Sequence, residues 1–212
     1  MPKNYISNSE ESTRMFKSNW MEALSKVHFS VPLFIYIPAI LFFCYLAFSY
    51  DIDIATFFLH FLLGLLVWTA TEYFLHRFVF HFYPSSSWGK RIHFIFHGVH
   101  HDYPKDKKRL VLPPSASIPL AALFYYLFSL LFTQAVLYAF FPGFLLGYLL
   151  YDMMHYAMHH YNFKTGTLKK VKQHHMLHHY QDPTKGFGVS SSLWDEIMRS
   201  KFSKKPKEVD ER

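Results

Sequence analysis

The chain has 212 residues, 51% of them hydrophobic and 24 of them Phe, with a formal net charge of +7. That length fits one domain. Cys44 is the only cysteine, which excludes an intramolecular disulfide and any metal site built on several thiolates.

Residues 1–28 form a polar arm without an apparent cleavable leader, and within it SNWMEALSKV (18–27) predicts a short interfacial helix with Trp20, Leu24 and Val27 on one side. Residues 29–50 carry no charge, nor do residues 54–71, and residues 110–151 run for 42 positions without Lys, Arg, Asp or Glu. A spanning helix needs about 20 apolar residues. The expectation is an all-α integral membrane protein with four transmembrane helices in two hairpins, the second turning at Pro142-Gly143. A helix from Ile54 rises about 33 Å by His76, so the first histidine motif stands where the bilayer ends. Residues 77–109 then leave the membrane. KRIHFIFHGVHH (90–101) reads as a helix, Pro113-Pro114 starts the return, and the chain ends in a polar region with a loop at KGFGV (185–189) and a short amphipathic helix over 193–202. The expected organisation is the arm, a membrane-embedded domain over 29–202, and a charged, disordered tail over 203–212.

The charge is uneven. All 22 Lys and Arg lie before residue 27, between 77 and 109, or after 163. The turns at Asp51–Asp53 and at Pro142-Gly143 have none. The positive-inside rule then puts both termini and the region holding the histidines in the cytosol: the endoplasmic reticulum membrane in a eukaryote, the inner membrane in a bacterium. The spans and the lack of a basic recognition motif leave no role for nucleic acid.

Of the 15 histidines, 13 fall in two windows, 76–101 and 155–179. Ten form four motifs: His76/His81, His97/His100/His101, His155/His159 and His175/His178/His179. Residues three or four apart share a helix face, and imidazole is the commonest protein ligand for transition metals. Ten nitrogens divide into five for each of two metal ions. A structural zinc is closed and four-coordinate, so this set is too large for one. An open site on a redox metal suits dioxygen chemistry. His76 and His81 stand about 140° apart on an ideal helix, so they serve different ions or His81 lies past the helix end. His28 and His60 read as structural, His93 and His174 as supporting residues, and His160 as a substitute or support for His159. Glu72 and Asp152 are expected to orient imidazoles through their N–H groups.

At these motifs the chain resembles the fatty acid hydroxylase and sterol desaturase superfamily, and within it the fatty acid 2-hydroxylases. The matching pieces are EYFLHRFVFH (72–81), HFIFHGVHHDYP (93–104), RLVLPP (109–114), GYLLYDMMHYAMHH (147–160), HHMLHH (174–179) and GFGVSSSLWD (186–195). The resemblance implies a four-span enzyme with a cytosolic helical cap and a dimetal site whose ligands map onto the ten histidines. It implies insertion of one oxygen from dioxygen at the α-carbon of a long acyl chain, as free acid, thioester or ceramide amide. Iron is the expected catalytic metal, with zinc as an alternative occupant of purified protein. Many relatives carry an N-terminal b-type cytochrome domain, for which the arm is expected to have no room. The electron donor is therefore expected to be a separate small b-type cytochrome, or a ferredoxin with its reductase. Competing readings are a sterol or carotenoid oxidase of the same superfamily, a metal transporter or sensor, and a non-redox zinc-binding membrane protein. Most of the histidines follow span ends on one side, whereas a transporter needs ligands along a transmembrane path.

Overall fold

The computed structural model describes residues 6–202; the expected charged tail lies outside the described residues. The described residues are helical and contain no strand. Nine α-helices follow in order: α1 Asn19–Leu24, α2 Val31–Ser49, α3 Ile54–Phe74, α4 Ser87–His93, α5 Val99–Asp102, α6 Pro114–Ser129, α7 Gln134–His160, α8 Gly166–Tyr180 and α9 Leu193–Ile197. Two π-helical turns interrupt them, Leu75–Phe80 at the end of α3 and Phe94–Gly98 between α4 and α5.

Among the described residues three helices are long and apolar enough to cross a membrane: α2, α3 with its π turn, and α7. The fourth expected span, α6, has 16 residues and rises about 24 Å, short of the roughly 30 Å hydrocarbon core. α7 is the central helix. Of its apolar stretch 72% is buried, against 17% in α2 and in α3, whose Phe34, Tyr45 and Leu59 side chains face outward. It packs most extensively on α3 and then on α2. Small residues set the closest approach: a Cβ at Gly143 would stand 1.9 Å from the Phe61 carbonyl oxygen, and one at Gly64 would stand 2.1 Å from that of Phe140. Such close backbone crossings are the usual way apolar helices associate where no water drives them together.

The second hairpin does not turn at Pro142-Gly143. Pro142 lies inside α7, and the chain reverses between Ser129 and Gln134. A long uncharged run with prolines at 119 and 142 offers no unique break by composition, and membrane helices tolerate proline where neighbours satisfy the freed carbonyl. The consequence is a longer lever. From Gln134 to His155 is a rise of about 32 Å, nearly the rise from Ile54 to His76, so the two helices deliver their histidines at one level.

Residues 6–28 pack along the cap. Ser7 N–H donates to the Asp102 carbonyl (2.8 Å) and Val27 N–H to that of Lys108 (2.8 Å). The predicted interfacial helix is present as α1, with Trp20 and Leu24 exposed, while Val27 is buried and belongs to the tether.

Candidate metal centre

The ten histidines converge in two groups of five. His76, His81, His97, His101 and His178 form one; His100, His155, His159, His175 and His179 form the other, and within each group the ring nitrogens all lie within 4.8 Å of one another. Each HxxHH triplet is split between them. The i, i+4 pairs His97/His101 and His175/His179 stay together, while His100 and His178 cross to the other group. His76 and His81 share a group because the segment joining them is π-helical. His81 N–H donates to the His76 carbonyl at 3.1 Å, the i→i+5 bond that defines such a turn. That wider turn returns the fifth residue to the same side, which an α-helical reading of the spacing misses.

The nitrogens that meet are Nε2 atoms. In the first group His76 and His97 are 3.1 Å apart, His76 and His81 3.2 Å, His81 and His97 3.0 Å, His97 and His101 2.9 Å, and His81 and His178 3.0 Å. In the second, His100–His155 and His159–His175 are both 2.9 Å apart. Two of these rings have a fixed tautomer, because His76 Nδ1–H donates to the Phe187 carbonyl (2.5 Å) and His178 Nδ1–H to that of Lys185 (2.7 Å). Their Nε2 atoms then carry lone pairs and cannot donate. Converging lone pairs repel unless a cation lies among them. Nitrogens about 2.1 Å from one ion stand about 3.0 Å apart when cis on an octahedron, and about 3.4 Å apart on a tetrahedron. The observed edges fit the octahedral case.

Protonation favours the same use. Burial, and then the neighbouring imidazoles, push His81, His97, His100, His101, His175 and His179 well down, and burial takes His178 to about 4. The rings are therefore neutral at neutral pH, the form that ligates a metal.

The supporting acids do not act as expected. Glu72 accepts the N–H groups of Val189 and Ser190 (both 2.8 Å) and the Ser190 hydroxyl, and Asp152 accepts the Tyr148 hydroxyl (2.6 Å) and the Leu112 N–H (3.3 Å). Neither takes an imidazole; each pins a connecting segment to a long helix. The acid that does take one is Asp195, 3.0 Å from His174 Nε2, a histidine outside both groups. Asp195 also accepts from Phe187 N (2.9 Å), Gly188 N (2.8 Å) and Ser200 Oγ (2.7 Å). Burial works to raise its carboxyl, but the His174 ring, the Ser200 hydroxyl and the two N–H groups outweigh it and hold it below the usual carboxylate range. Gly188 is required there, since a Cβ would stand 2.0 Å from the Ser191 carbonyl oxygen. The tethers on His76 and His178 are backbone carbonyls, so no side-chain pattern announces them.

The other histidines keep apart. His60 Nδ1 bonds the Thr56 carbonyl (2.8 Å) and His28 Nδ1 pairs with the Ser30 hydroxyl (2.8 Å), both local structural uses. His93 packs against Tyr83, and His160 against Tyr156.

Two cavities reach the centre. One of about 440 Å³ runs between α1, α3, α6 and α7, with an apolar wall that includes Trp68, Phe96 and Leu110, and His97, His100 and His155 open onto it. The other, of about 360 Å³, lies on the side of Tyr83, Lys90 and Asp102 and meets His81, His97, His101 and His179.

Replacing Asp195 with Ala strands the two buried N–H groups of Phe187 and Gly188 and takes one partner from Ser200 and from the half-buried His174 ring. The expected loss of stability is on the order of 3 kcal/mol. The expected loss of metal falls first on the group containing His76 and His178. Thermal unfolding and elemental analysis of the purified variant check this; wild-type values in both would refute the tether.

Comparison with known proteins agrees with this geometry. The family model described as fatty acid hydroxylase matches residues 61–200. A dihydroceramide fatty acyl 2-hydroxylase of Arabidopsis thaliana is 38% identical over 89% of this chain and 79% of its own. A fatty acid 2-hydroxylase of Rattus norvegicus is 37% identical over 93% of this chain and 58% of its own. A ceramide very long chain fatty acid hydroxylase of Saccharomyces cerevisiae is 39% identical over 85% of this chain and 47% of its own. Among solved structures, full-length scs7p, of which the hydroxylase domain is visible, superposes with a TM-score of 0.83 at 37% identity, covering 87% of this chain and 70% of that one. With its paired histidine groups at the ends of membrane-length helices, this chain belongs to the fatty acid hydroxylase family.

Proposed function

We propose that this protein is a membrane-bound monooxygenase that hydroxylates the 2-position of a long fatty acyl chain, carried in a ceramide-type sphingolipid. The observation that carries the reading is the apolar cavity of about 440 Å³ whose wall includes histidines of both groups, so that an acyl chain held there lies against the centre. The printed activities of the relatives point the same way.

The ten histidines are the ligands of two metal ions. Iron is the working metal; zinc, which imidazole also suits, is an alternative occupant of purified protein. Two irons with dioxygen supply the oxidising power that an unactivated C–H bond demands. The chain's own part is to hold and to exclude. The Phe187 and Lys185 carbonyls keep the His76 and His178 rings in the ligating tautomer. Leu110, Val111 and Leu112 wall the cavity, with Leu112 fixed by Asp152, and keep water from the acyl chain. On expression, lipid extracts analysed by mass spectrometry should contain 2-hydroxyacyl sphingolipid. His100→Ala and His178→Ala should abolish it and His60→Ala should not, and the active protein should hold two metal ions by elemental analysis. Product at another carbon, or one ion or none per active chain, would contradict the reading.

In the membrane, α6 serves as a short fourth span that the bilayer meets by thinning locally, and the polar arm, the membrane-embedded domain from residue 29 and the histidine cap take a cytosolic-termini topology. The support is the absence of Lys and Arg from residues 50–53 and 130–133, at the far ends of the hairpins. In a Cys44→Ser background, Lys105→Cys should be labelled only from the cytosolic side and Leu131→Cys only from the other; the reverse pattern would overturn the topology.

Each turnover consumes two electrons. These 212 residues contain no haem-attachment motif, no cysteine set for an iron–sulfur cluster and no dinucleotide loop. The donor is a redox carrier outside these residues, a small b-type cytochrome or a ferredoxin. Its docking face is the cap surface where Lys105, Lys107, Lys108, Lys169 and Lys170 are exposed, with Lys172 half-buried among them. An acidic carrier is drawn to such a face at low salt. Charge reversal at Lys169, Lys170 and Lys172 should slow turnover without removing metal. Hydroxylation by the purified protein with a reduced nicotinamide cofactor alone would exclude the carrier.

A further inference from the structure

The cavity that meets His81, His97, His101 and His179 differs in kind from the one walled by Trp68, Phe96 and Leu110. Of their lining residues the two share His97 alone, so the histidine centre stands between them. Tyr83, Lys90, His93 and Asp102 put polar groups along the second cavity, and Tyr83 and Lys90 are exposed, so it opens to the outside. The histidines show the same opening. Within the first group only His81 and His101 are half-buried, and both line this cavity. His97, His100 and His155, which line the apolar cavity, are buried.

Gly98 lies on the wall of the second cavity, next to His97. At Gly64 and Gly143 a Cβ would strike backbone, so no other residue fits. Gly98 is different. Its φ of −58° and ψ of −36° are helical, and a Cβ there would meet His93 Nδ1 and Phe94 Cδ2 at 3.4 Å, ordinary contact. Glycine inside a helical stretch is destabilising relative to alanine, and packing here does not require it. What it leaves is space on the cavity wall.

The chemistry calls for such a space. Insertion of one oxygen atom of dioxygen into a C–H bond, with two electrons from the donor, takes up two protons and releases the second oxygen atom as water. Dioxygen and the acyl chain are apolar and suit the wall of Trp68, Phe96 and Leu110. Protons and water do not: moving a charge or an unpaired polar group past an apolar wall is costly. A lipid seated against His100 and His155 also closes that route. A polar cavity holds water where each molecule finds about two to four partners. The volume of about 360 Å³ has room for several, at about 30 Å³ each in the liquid.

Resting on the monooxygenase reading, we propose that the second cavity is the aqueous port of the centre. It exchanges water and protons with solvent past Gly98 while the acyl chain occupies the apolar cavity.

The test uses the full chain, purified in detergent with its iron, in a Cys44→Ser background. Gly98→Cys reports on the second cavity, and Ala116→Cys, which lines only the apolar one, on the first. A charged, sulfonated methanethiosulfonate should modify residue 98 about tenfold faster than residue 116. An N-acyl sphingoid base should slow the modification of residue 116 and leave that of residue 98 unchanged. Once residue 98 carries the adduct, azide should no longer give its charge-transfer band with the iron protein. A brominated acyl lipid should still quench Trp20 and Trp68, which wall the apolar cavity. Resistance of residue 98 to the charged reagent overturns the port, and so does an adduct that displaces the lipid and leaves azide binding intact. If elemental analysis finds iron lost on modification, the adduct has disturbed His97 and the labelling rates alone decide. Should Gly98→Cys fail to hold metal, Pro183→Cys, on the same cavity, decides by the same readings. The labelling needs no turnover, so the two readings fail separately. Protein that makes 2-hydroxyacyl lipid but keeps residues 98 and 183 closed to the charged reagent removes this inference alone. Wild type that makes no such lipid removes the functional reading, and the purpose of the port with it.

Discussion

The structure depends on one demand: ten imidazoles must bring one ring nitrogen each together in two groups of five, each within 4.8 Å. Without a cation the groups repel, and burying a polar atom without a partner is costly in itself. The cap therefore cannot be a loose assembly. Its rigidity comes from carboxylates that never touch the ligands. Glu72 fixes residues 189–190 to α3, Asp152 fixes residue 112 to α7, and Asp195 folds the 187–188 segment back on itself. The carbonyls at 185 and 187, held by that last fold, set the tautomers of His178 and His76.

The membrane supplies the other half of the rigidity. α3 and α7 cross so closely that Gly143 leaves no room for a Cβ beside Phe61. Their separation is fixed by backbone rather than by pliable side chains. Because both helices rise about 32 Å before their first clustered histidine, a fixed crossing along the helices becomes a fixed spacing at their ends. His76 and His155 are thus placed by helix packing, and the cap brings the remaining eight histidines to them.

Much of this was legible in the sequence. Clustered histidines at helical spacing announced the ten residues that converge, and long uncharged runs announced three helices of membrane length. That His76 and His81 fall in one group was not legible, because it turns on a π-helical stretch. An inserted residue leaves composition and apolar periodicity almost unchanged, yet it rotates everything after it. His81 joins His76 for that reason, while His93 stays outside both groups as the supporting role read from the sequence expects. The reversal near residue 131 was hidden by a different physics: in lipid a proline inside a helix is tolerated, so Pro142 did not mark the break that it would suggest in water. Glu72 and Asp152 were recognised as important neighbours of the motifs, but an acid beside a histidine in sequence points wherever its rotamer and the fold direct it. Here both turn toward backbone N–H groups that only the tertiary structure brings near.

The residues 6–28 show how a polar segment becomes part of an apolar site. Met15, Phe16 and Trp20 wall the lipid cavity, while Ser12, Thr13, Glu22 and Ser25 spend their polar atoms on Arg109. The same stretch thus closes the cavity on one face and neutralises its only arginine from the other. Burial of an ion pair is weak evidence for stability, since desolvation offsets much of the attraction. Its persistence at 3% and 11% side-chain exposure therefore calls for a reason other than stability. Placement supplies one. A cation with four of its five donors satisfied is held in a single orientation, and it ties residues 12–25 to the segment that carries Leu110, Val111 and Leu112 along the cavity wall.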